Sequence, residues 1–192
     1  HSYLIGKYQQ TVTAANGRVY FGGSQHSLFG YNSDTMTRTS GSITMYNGGD
    51  IQASTRSATG VVYASCHCSD YTFQDAYQYL TLGTTWTRAD EIQWVGGWDE
   101  ATGRQLGWTP YRLGSLRSTG AWALEMADDG ALWAGGDFNY SYTSLTAGQW
   151  SGGFVRMPAR NTTAPAVPAN LRASDGNSKE VTLKWSSVPG AV

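Results

Sequence analysis

The sequence predicts an all-β protein assembled from repeated hairpin units. Three observations carry this: a glycine-turn motif that occurs three times, alternating runs on either side of each turn, and a composition suited to short strands. Charged residues make up 14% of the 192 residues, against about 25% in an average soluble domain. Gly (24), Tyr (12) and Trp (8) take their place. Glycine supplies tight turns, and large rings supply packing between short strands.

The motif is read in Gly17-Arg18-Val19-Tyr20-Phe21-Gly22-Gly23, in Gly60-Val61-Val62-Tyr63-Ala64-Ser65-Cys66 and in Gly130-Ala131-Leu132-Trp133-Ala134-Gly135-Gly136. Each begins with the Gly that ends a polar turn and carries an aromatic three residues later. Asn16-Gly17 and Asp129-Gly130 predict two-residue hairpin turns, because both central positions tolerate positive φ. Residues 10–14 and 121–126 read as strands leading into the first and third turns. A further strand follows each hairpin, over 27–31, 92–98 and 152–156.

The three glycines lie 43 and then 70 residues apart. A four-stranded propeller blade takes about 40–50 residues, so the first interval fits one blade and the second fits a blade plus an insertion. The insertion is expected over 69–90, with a helical turn over 74–80. Residues 1–157 then hold three to three and a half blades, where a closed propeller needs at least about four. Composition shifts at Met157. Residues 158–168 form a Pro/Thr/Ala linker, and 169–192 hold two alternating runs, 170–173 and 181–185, around a polar turn over 174–179.

Net charge is −1 and no basic stripe is present, which speaks against nucleic acid as a partner. No segment is long and apolar enough to insert in a bilayer. The chain starts at His1 rather than Met, so its start is expected to reflect processing or a longer parent chain.

Cys66-His67-Cys68 places two thiols on one face of an extended segment, with His67 on the other. Three readings stay open. Small buried side chains in a packed strand come first, since free Cys behaves as a small hydrophobe. A strained local disulfide, or a bond to a cysteine outside this sequence, is the second reading, since bridges prefer a Cα separation of about 4.4–6.8 Å and specific torsions. A metal site at Cys66 and Cys68 needs a further ligand such as His26.

Part of the chain resembles known families. Ala164-Pro165, Pro168-Ala169-Asn170-Leu171, Val181-Thr182-Leu183-Lys184-Trp185 and Val188-Pro189-Gly190-Ala191 are similar to the first two strands of a fibronectin type III domain, over residues 165–192. Gly135-Gly136-Asp137-Phe138 resembles the signature of bacterial propeller repeats. The equivalent positions read Gly22-Gly23-Ser24-Gln25 and Ser65-Cys66-His67-Cys68 in the first two copies. The resemblance implies a partial β-propeller followed by the first strands of a fibronectin type III sandwich. Such combinations occur in secreted actinobacterial proteins and in tail proteins of phages that infect those bacteria.

Most candidate chemistry has a structural reading. Asp128-Asp129 and Asp99-Glu100 sit where turns favour Asp. Asp137 is expected to cap a turn, with cation binding the lesser reading. His26 and His67 announce no triad, and the Gly-Gly pairs follow β-like runs rather than opening helices. Asn139-Tyr140-Ser141 and Asn161-Thr162-Thr163 match the glycosylation acceptor, which a bacterial or phage source makes irrelevant. Trp94, Trp98, Trp122 and Trp133 belong to the strand pattern and read as packing.

The aromatics of the insertion are the functional lead. Tyr71, Tyr77, Tyr79 and Trp86 lie where loops carry binding, and rings with polar tips suit sugars or protein contacts. The expectation is a non-catalytic extracellular recognition or scaffold protein. It would need no cofactor, and its partners would be a bacterial cell-surface glycan or other subunits of a surface or tail assembly. The rivals are a secreted glycan-cleaving enzyme with a fibronectin spacer and a purely architectural homo-oligomer.

Overall fold

The computed structural model describes residues 8–45, 49–79, 81–114, 120–159, 166–174 and 180–187. His1, Leu80, Asn161-Thr162-Thr163, Ala164-Pro165, the turn residues 175–179 and Val188-Pro189-Gly190-Ala191 lie outside the described residues. Among the described residues every regular element is a β-strand. The chain divides into two compact units, His1–Arg160 and Asn161–Val192.

The first unit begins with an antiparallel meander of β1 (Gln9–Ala15), β2 (Arg18–Gly23), β3 (Ser27–Asn32) and β4 (Arg38–Met45). The β1–β2 turn is the expected two-residue one, with φ of 31° at Asn16 and 71° at Gly17. Next come β5 (Ile51–Arg56), β6 (Val61–Gln74) and β7 (Arg88–Asp99). The first half of β6 pairs with β5 and its second half with β4, while β7 runs along both halves. One seven-stranded sheet results, in the order β1-β2-β3-β4-β6-β5, with β7 also on β6. The sheet curls until its ends meet. Thr11 and Thr13 of β1 each share a hydroxyl hydrogen bond with Ser54 of β5, at 2.7 and 2.6 Å, so the sheet is barrel-like and nearly closed.

The inward face holds Tyr20, Leu28, Ile51, Val62, Ile92 and Trp98. Trp98 is buried, and its indole N–H donates to Ser42 Oγ at 3.0 Å, which satisfies its one polar group. Arg56 and Asn16 both donate to the Glu100 carboxylate, at 2.6 Å each, tying the first two hairpins to the turn after β7.

The remaining strands form two small sheets. β9 (Gly120–Met126) and β13 (Phe154–Met157) flank β10 (Leu132–Asp137). β8 (Arg112–Gly114) and β12 (Gly148–Trp150) flank β11 (Tyr140–Tyr142). Both sheets contribute to one core, through Leu132 and Ala134 of the first and Leu113 of the second, against Val61, Tyr63, Trp94 and Val95. In the second unit, β14 (Arg172–Ser174) and β15 (Thr182–Lys184) pair as an antiparallel hairpin.

Four expectations need correction. The stretch 69–90 is not a separate insertion: Ser69 to Gln74 completes β6, Arg88 begins β7, and residues 75–87 join them. The stretch is β because its Tyr71, Thr72 and Phe73 find partners on both β4 and β7. The helical turn is absent, since Gln74 still belongs to β6 and the described residues 75–79 are not helical. The Asp129-Gly130 turn is a three-residue loop. Ala127 N–H donates to Ala131 O at 2.9 Å, and Gly130 supplies the left-handed position with φ of 79°. Asp129 keeps ordinary backbone because its carboxylate accepts from Ala131 N–H at 3.0 Å and from Arg156 at 2.7 Å. Residues 152–153 form a turn rather than opening β13, both glycines having positive φ.

Candidate functional site

The motif residues Cys66, His67 and Cys68 occupy a bulge in β6. Ser65 pairs with Val95 and Ser69 with Gln93, so residues 66–68 face Trp94 alone. Trp94 adopts φ of 61° to absorb the mismatch. The kink draws the Cα atoms of Cys66 and Cys68 to 5.1 Å, and the two sulfurs are joined as a disulfide. This corrects the free-thiol reading: both side chains are buried as expected, but neither is free. It also removes two thiolates from the metal reading. Among the described residues no group of three or more His, Cys, Asp or Glu is placed to hold an ion.

His26 is held otherwise. Its Nδ1 lies 3.2 Å from the Thr44 carbonyl and its Nε2 lies 3.4 Å from Asp50 Oδ1. Burial pulls its pKa below the ordinary imidazole range, and the Asp50 carboxylate opposes that only in part. Its ring packs against Tyr79 at an interplanar angle of 41°, with centroids 3.6 Å apart. His67 packs edge-on to Trp122 at 4.6 Å.

The carboxylates of the turns are structural. Asp99 accepts from the hydroxyl and backbone N–H of Thr102, which lowers its pKa. Glu100 goes further than its turn position suggested, because it is buried and its two oxygens are taken by Arg56 and Asn16. A small cleft of about 10 Å³, room for a single water, lies by Asp90, Trp98, Gln105 and Trp108.

Three of the four rings singled out from sequence, Tyr71, Tyr77 and Trp86, are exposed around Phe29 and Phe73, whereas Tyr79 lies apart from them against the buried His26. The chain leaves β6 at Gln74 and reverses at Asp75, whose φ is 62° and whose N–H donates to Gly41 O at 2.8 Å. Asp75 also accepts from the Thr87 hydroxyl at 2.5 Å, closing the base of the 75–87 loop. Ala76 then plugs into the Ile43–Phe73 cluster, and Tyr77 comes down on Gly41. A Cβ at Gly41 would approach the Tyr77 ring to 2.6 Å, so the ring depends on glycine there. Tyr77 lies 6.0 Å from Phe29, and the Arg38 guanidinium sits 4.1 Å from its centroid. On the β6–β7 side, Tyr71 and Trp86 flank Phe73 at 6.4 and 5.4 Å. Tyr71 and Trp86 are each 41% exposed. Phe29 and Phe73 belong to one apolar cluster with Ile43, so Tyr77, Tyr71 and Trp86 share one foundation.

Phe29, Arg38 and Gly41 escaped the sequence reading. They lie more than thirty residues upstream of the loop they support, and only the β4–β6 pairing joins them to it. Trp94 and Trp98 are buried packing residues, whereas Trp122 and Trp133 are exposed, which corrects the packing reading for those two. Trp133 lies on the outward face of β10, where it stacks on Phe154 at 6.3 Å, and Trp122 is the unpaired residue of a bulge in β9.

No family model matches the chain. No curated protein matches it either. Among solved structures, the chain is similar to two computationally designed proteins. Ika4 shares 12% identity over 96% of this chain and 95% of its own, with a TM-score of 0.44. Ika8, in one of its crystal packings, shares 12% identity over 94% of this chain, with a TM-score of 0.42. The chain spans 46% of the length of Ika8.

Proposed function

We propose that this chain is a non-catalytic recognition module outside the cell, part of a phage tail or of a secreted bacterial surface protein, that binds a cell-surface glycan through the Tyr71–Tyr77–Trp86 face. The observation that carries it is the exposure of Tyr71, Tyr77 and Trp86 on one apolar cluster of the sheet. Tyr77 is seated on Gly41 and capped by Arg38, and Trp86 and Tyr71 stand on Phe73. Trp86 and Tyr71, each 41% exposed, offer ring surface to the apolar side of a sugar, and Tyr77 offers its edge and hydroxyl beside the Arg38 guanidinium.

The architectural part of the reading is a partial propeller leading into a fibronectin type III domain. Its support is that each glycine-turn hairpin opens a set of antiparallel strands: β1 to β4, then β5 to β7 with the Trp98–Gln105 bridge, then β9, β10 and β13. The β14–β15 hairpin, with Trp185 just beyond it, agrees with the first strands of the fibronectin type III fold. The extracellular placement rests on the resemblance of the repeats and is consistent with the Cys66–Cys68 disulfide.

A glycan array and a pull-down on intact bacterial walls test the binding. Tyr77→Ala with Trp86→Ala is expected to reduce binding at least tenfold, about 1.4 kcal/mol, with the far-ultraviolet spectrum unchanged. Full binding by the folded double variant would remove this face from the reading.

A further inference from the structure

The small sheet of β8, β11 and β12 is built inside out. Tyr140 and Tyr142, two apart on β11, share a face. Trp150 and Gly114 lie directly opposite Tyr140, and Gly148 and Arg112 lie opposite Tyr142, so all six share that face. The other face carries Ser141, Leu113 and Gln149, and Leu113 is buried in the core. The large rings therefore point to solvent while the core side is served by one leucine. Trp150 is 70% and Tyr140 46% exposed. Core packing does not explain rings on that side.

The backbone beneath is well anchored. Gln93 holds β8 from below, donating from Nε2 to Leu113 O at 3.0 Å and accepting from Leu113 N–H at 3.4 Å. Asn139 N–H donates to Gly114 O at 2.8 Å and Ser151 N–H to Asn139 O at 2.7 Å at one end of the sheet, and Thr143 N–H donates to Ala147 O at 3.2 Å at the other. Gly148 lies under the Tyr142 ring, where a Cβ would come within 2.7 Å of Cδ1. Tyr140 and Tyr142 have centroids 6.3 Å apart, and Trp150 extends the row onto the neighbouring strand. The result is a shallow patch several rings wide rather than a single anchor.

Its charge has one sign. No Asp or Glu occurs in β8, β11 or β12 or in the chain from Phe138 to Met157, and Arg112 on β8 is the charged residue of the sheet. Arg156 is engaged by Asp129. Arg112, exposed, has its guanidinium 5.0 Å from the Tyr142 centroid and makes no ion pair among the described residues. A planar fork held beside a ring is shaped for a carboxylate carried on a stacked partner.

We infer that the Tyr140–Tyr142–Trp150 face with Arg112 is a second binding site, for an acidic polysaccharide whose pyranose rings bear carboxylates. Sugar C–H faces stack on the three rings while the ring carboxylate pairs with Arg112. The site lies on different strands from the Tyr77–Trp86 face and stands whether or not that face binds.

Titration of the full chain, followed by tryptophan fluorescence and calorimetry, tests it with oligogalacturonate, a neutral oligoglucan of equal length and a polyphosphate. Oligogalacturonate is expected to bind the wild type more tightly than either other probe. Tyr140→Ala with Trp150→Ala should abolish that binding. Arg112→Gln should weaken it about tenfold or more and leave the neutral oligoglucan unchanged. Tyr77→Ala with Trp86→Ala should leave oligogalacturonate binding intact, which separates this site from the first. The inference is overturned if the wild type fails to bind oligogalacturonate, binds either other probe as well, or binds it undiminished with Tyr140 and Trp150 removed and the fold retained. Because the Tyr140 and Trp150 side chains are exposed, their loss should spare the fold; if it does not, Arg112→Gln alone decides.

Discussion

Gly41 decides where Tyr77 lies. Its missing Cβ opens the site for the ring, and its carbonyl takes the Asp75 N–H that turns the loop back. Gly41→Ala should cost about 1–3 kcal/mol of stability, the usual penalty of overpacking, and should weaken glycan binding at the Tyr77 face. Combined with Tyr77→Ala, the stability loss should shrink, because the closest approach is to that ring, with Phe29 Cδ1 next at 3.0 Å. Chemical denaturation of the two single variants and the double variant checks this through their non-additivity. His26 makes a different prediction. Its folded pKa is lowered, first by burial, with the nearby His67 adding and Asp50 and the Thr44 carbonyl opposing. The unfolded chain therefore binds a proton more readily than the folded one. The contribution of this group is fully present above the unfolded value of about 6.5 and is lost as pH falls from there through the lowered folded value. Denaturant midpoints between pH 7 and 5 should fall with acidity, and less so in His26→Gln.

At the scale of the element, strands that follow a turn glycine or alternate clearly were readable, and polar strands without either signal were not. β2, β6 and β10 follow their glycines, and β1, β3, β7 and β9 beside them alternate. β4 and β5 read as polar: Arg-Thr-Ser-Gly-Ser-Ile-Thr-Met and Ile-Gln-Ala-Ser-Thr-Arg. They are strands because their hydroxyls find partners inside, Ser42 on the Trp98 indole and Ser54 on Thr11 and Thr13. Hydrophobic periodicity is blind to a strand whose buried side chains are satisfied by hydrogen bonds. The same limit hid half of the candidate site. The exposed rings of the 75–87 loop stood out, but the β4–β6 pairing that puts Gly41 and Arg38 beside them joins residues some thirty apart. The β6 bulge carries its own test. The disulfide that it closes predicts that Cys66 and Cys68 resist alkylation in the denatured chain until a reductant is added, and peptide mass mapping before and after reduction reads this. Labelling of both without reductant would show the thiols free.

The whole molecule is organised around β6, and that gives the last prediction. β6 is paired on both sides along most of its length, by β5 and β4 on one side and β7 on the other. Its residues Val61, Val62, Ala64, Cys66 and Cys68 are all buried. Strands with two partners and a buried face open only with the fold as a whole, whereas edge strands open locally. β12 and β13 each have one strand partner, and the β14–β15 hairpin is a two-stranded piece with Leu183 and Trp185 exposed; an isolated hairpin is marginal in water. Closure of the curled sheet adds a further distinction, because β1 is held to β5 by two side-chain hydrogen bonds at Ser54 and not by a backbone ladder. Amide exchange should therefore be slowest in β6 and the facing half of β7, intermediate in β2 to β4, and fastest in β12, β13 and the β14–β15 hairpin. Ser54→Ala removes both closing bonds and leaves Thr11 and Thr13 without them, a loss of about 1–3 kcal/mol. It should speed exchange in β1 and β5 selectively while β6 falls only by the change in global stability. Equal acceleration in every strand would mean that the seam between β1 and β5 is not a local closure but part of the cooperative core.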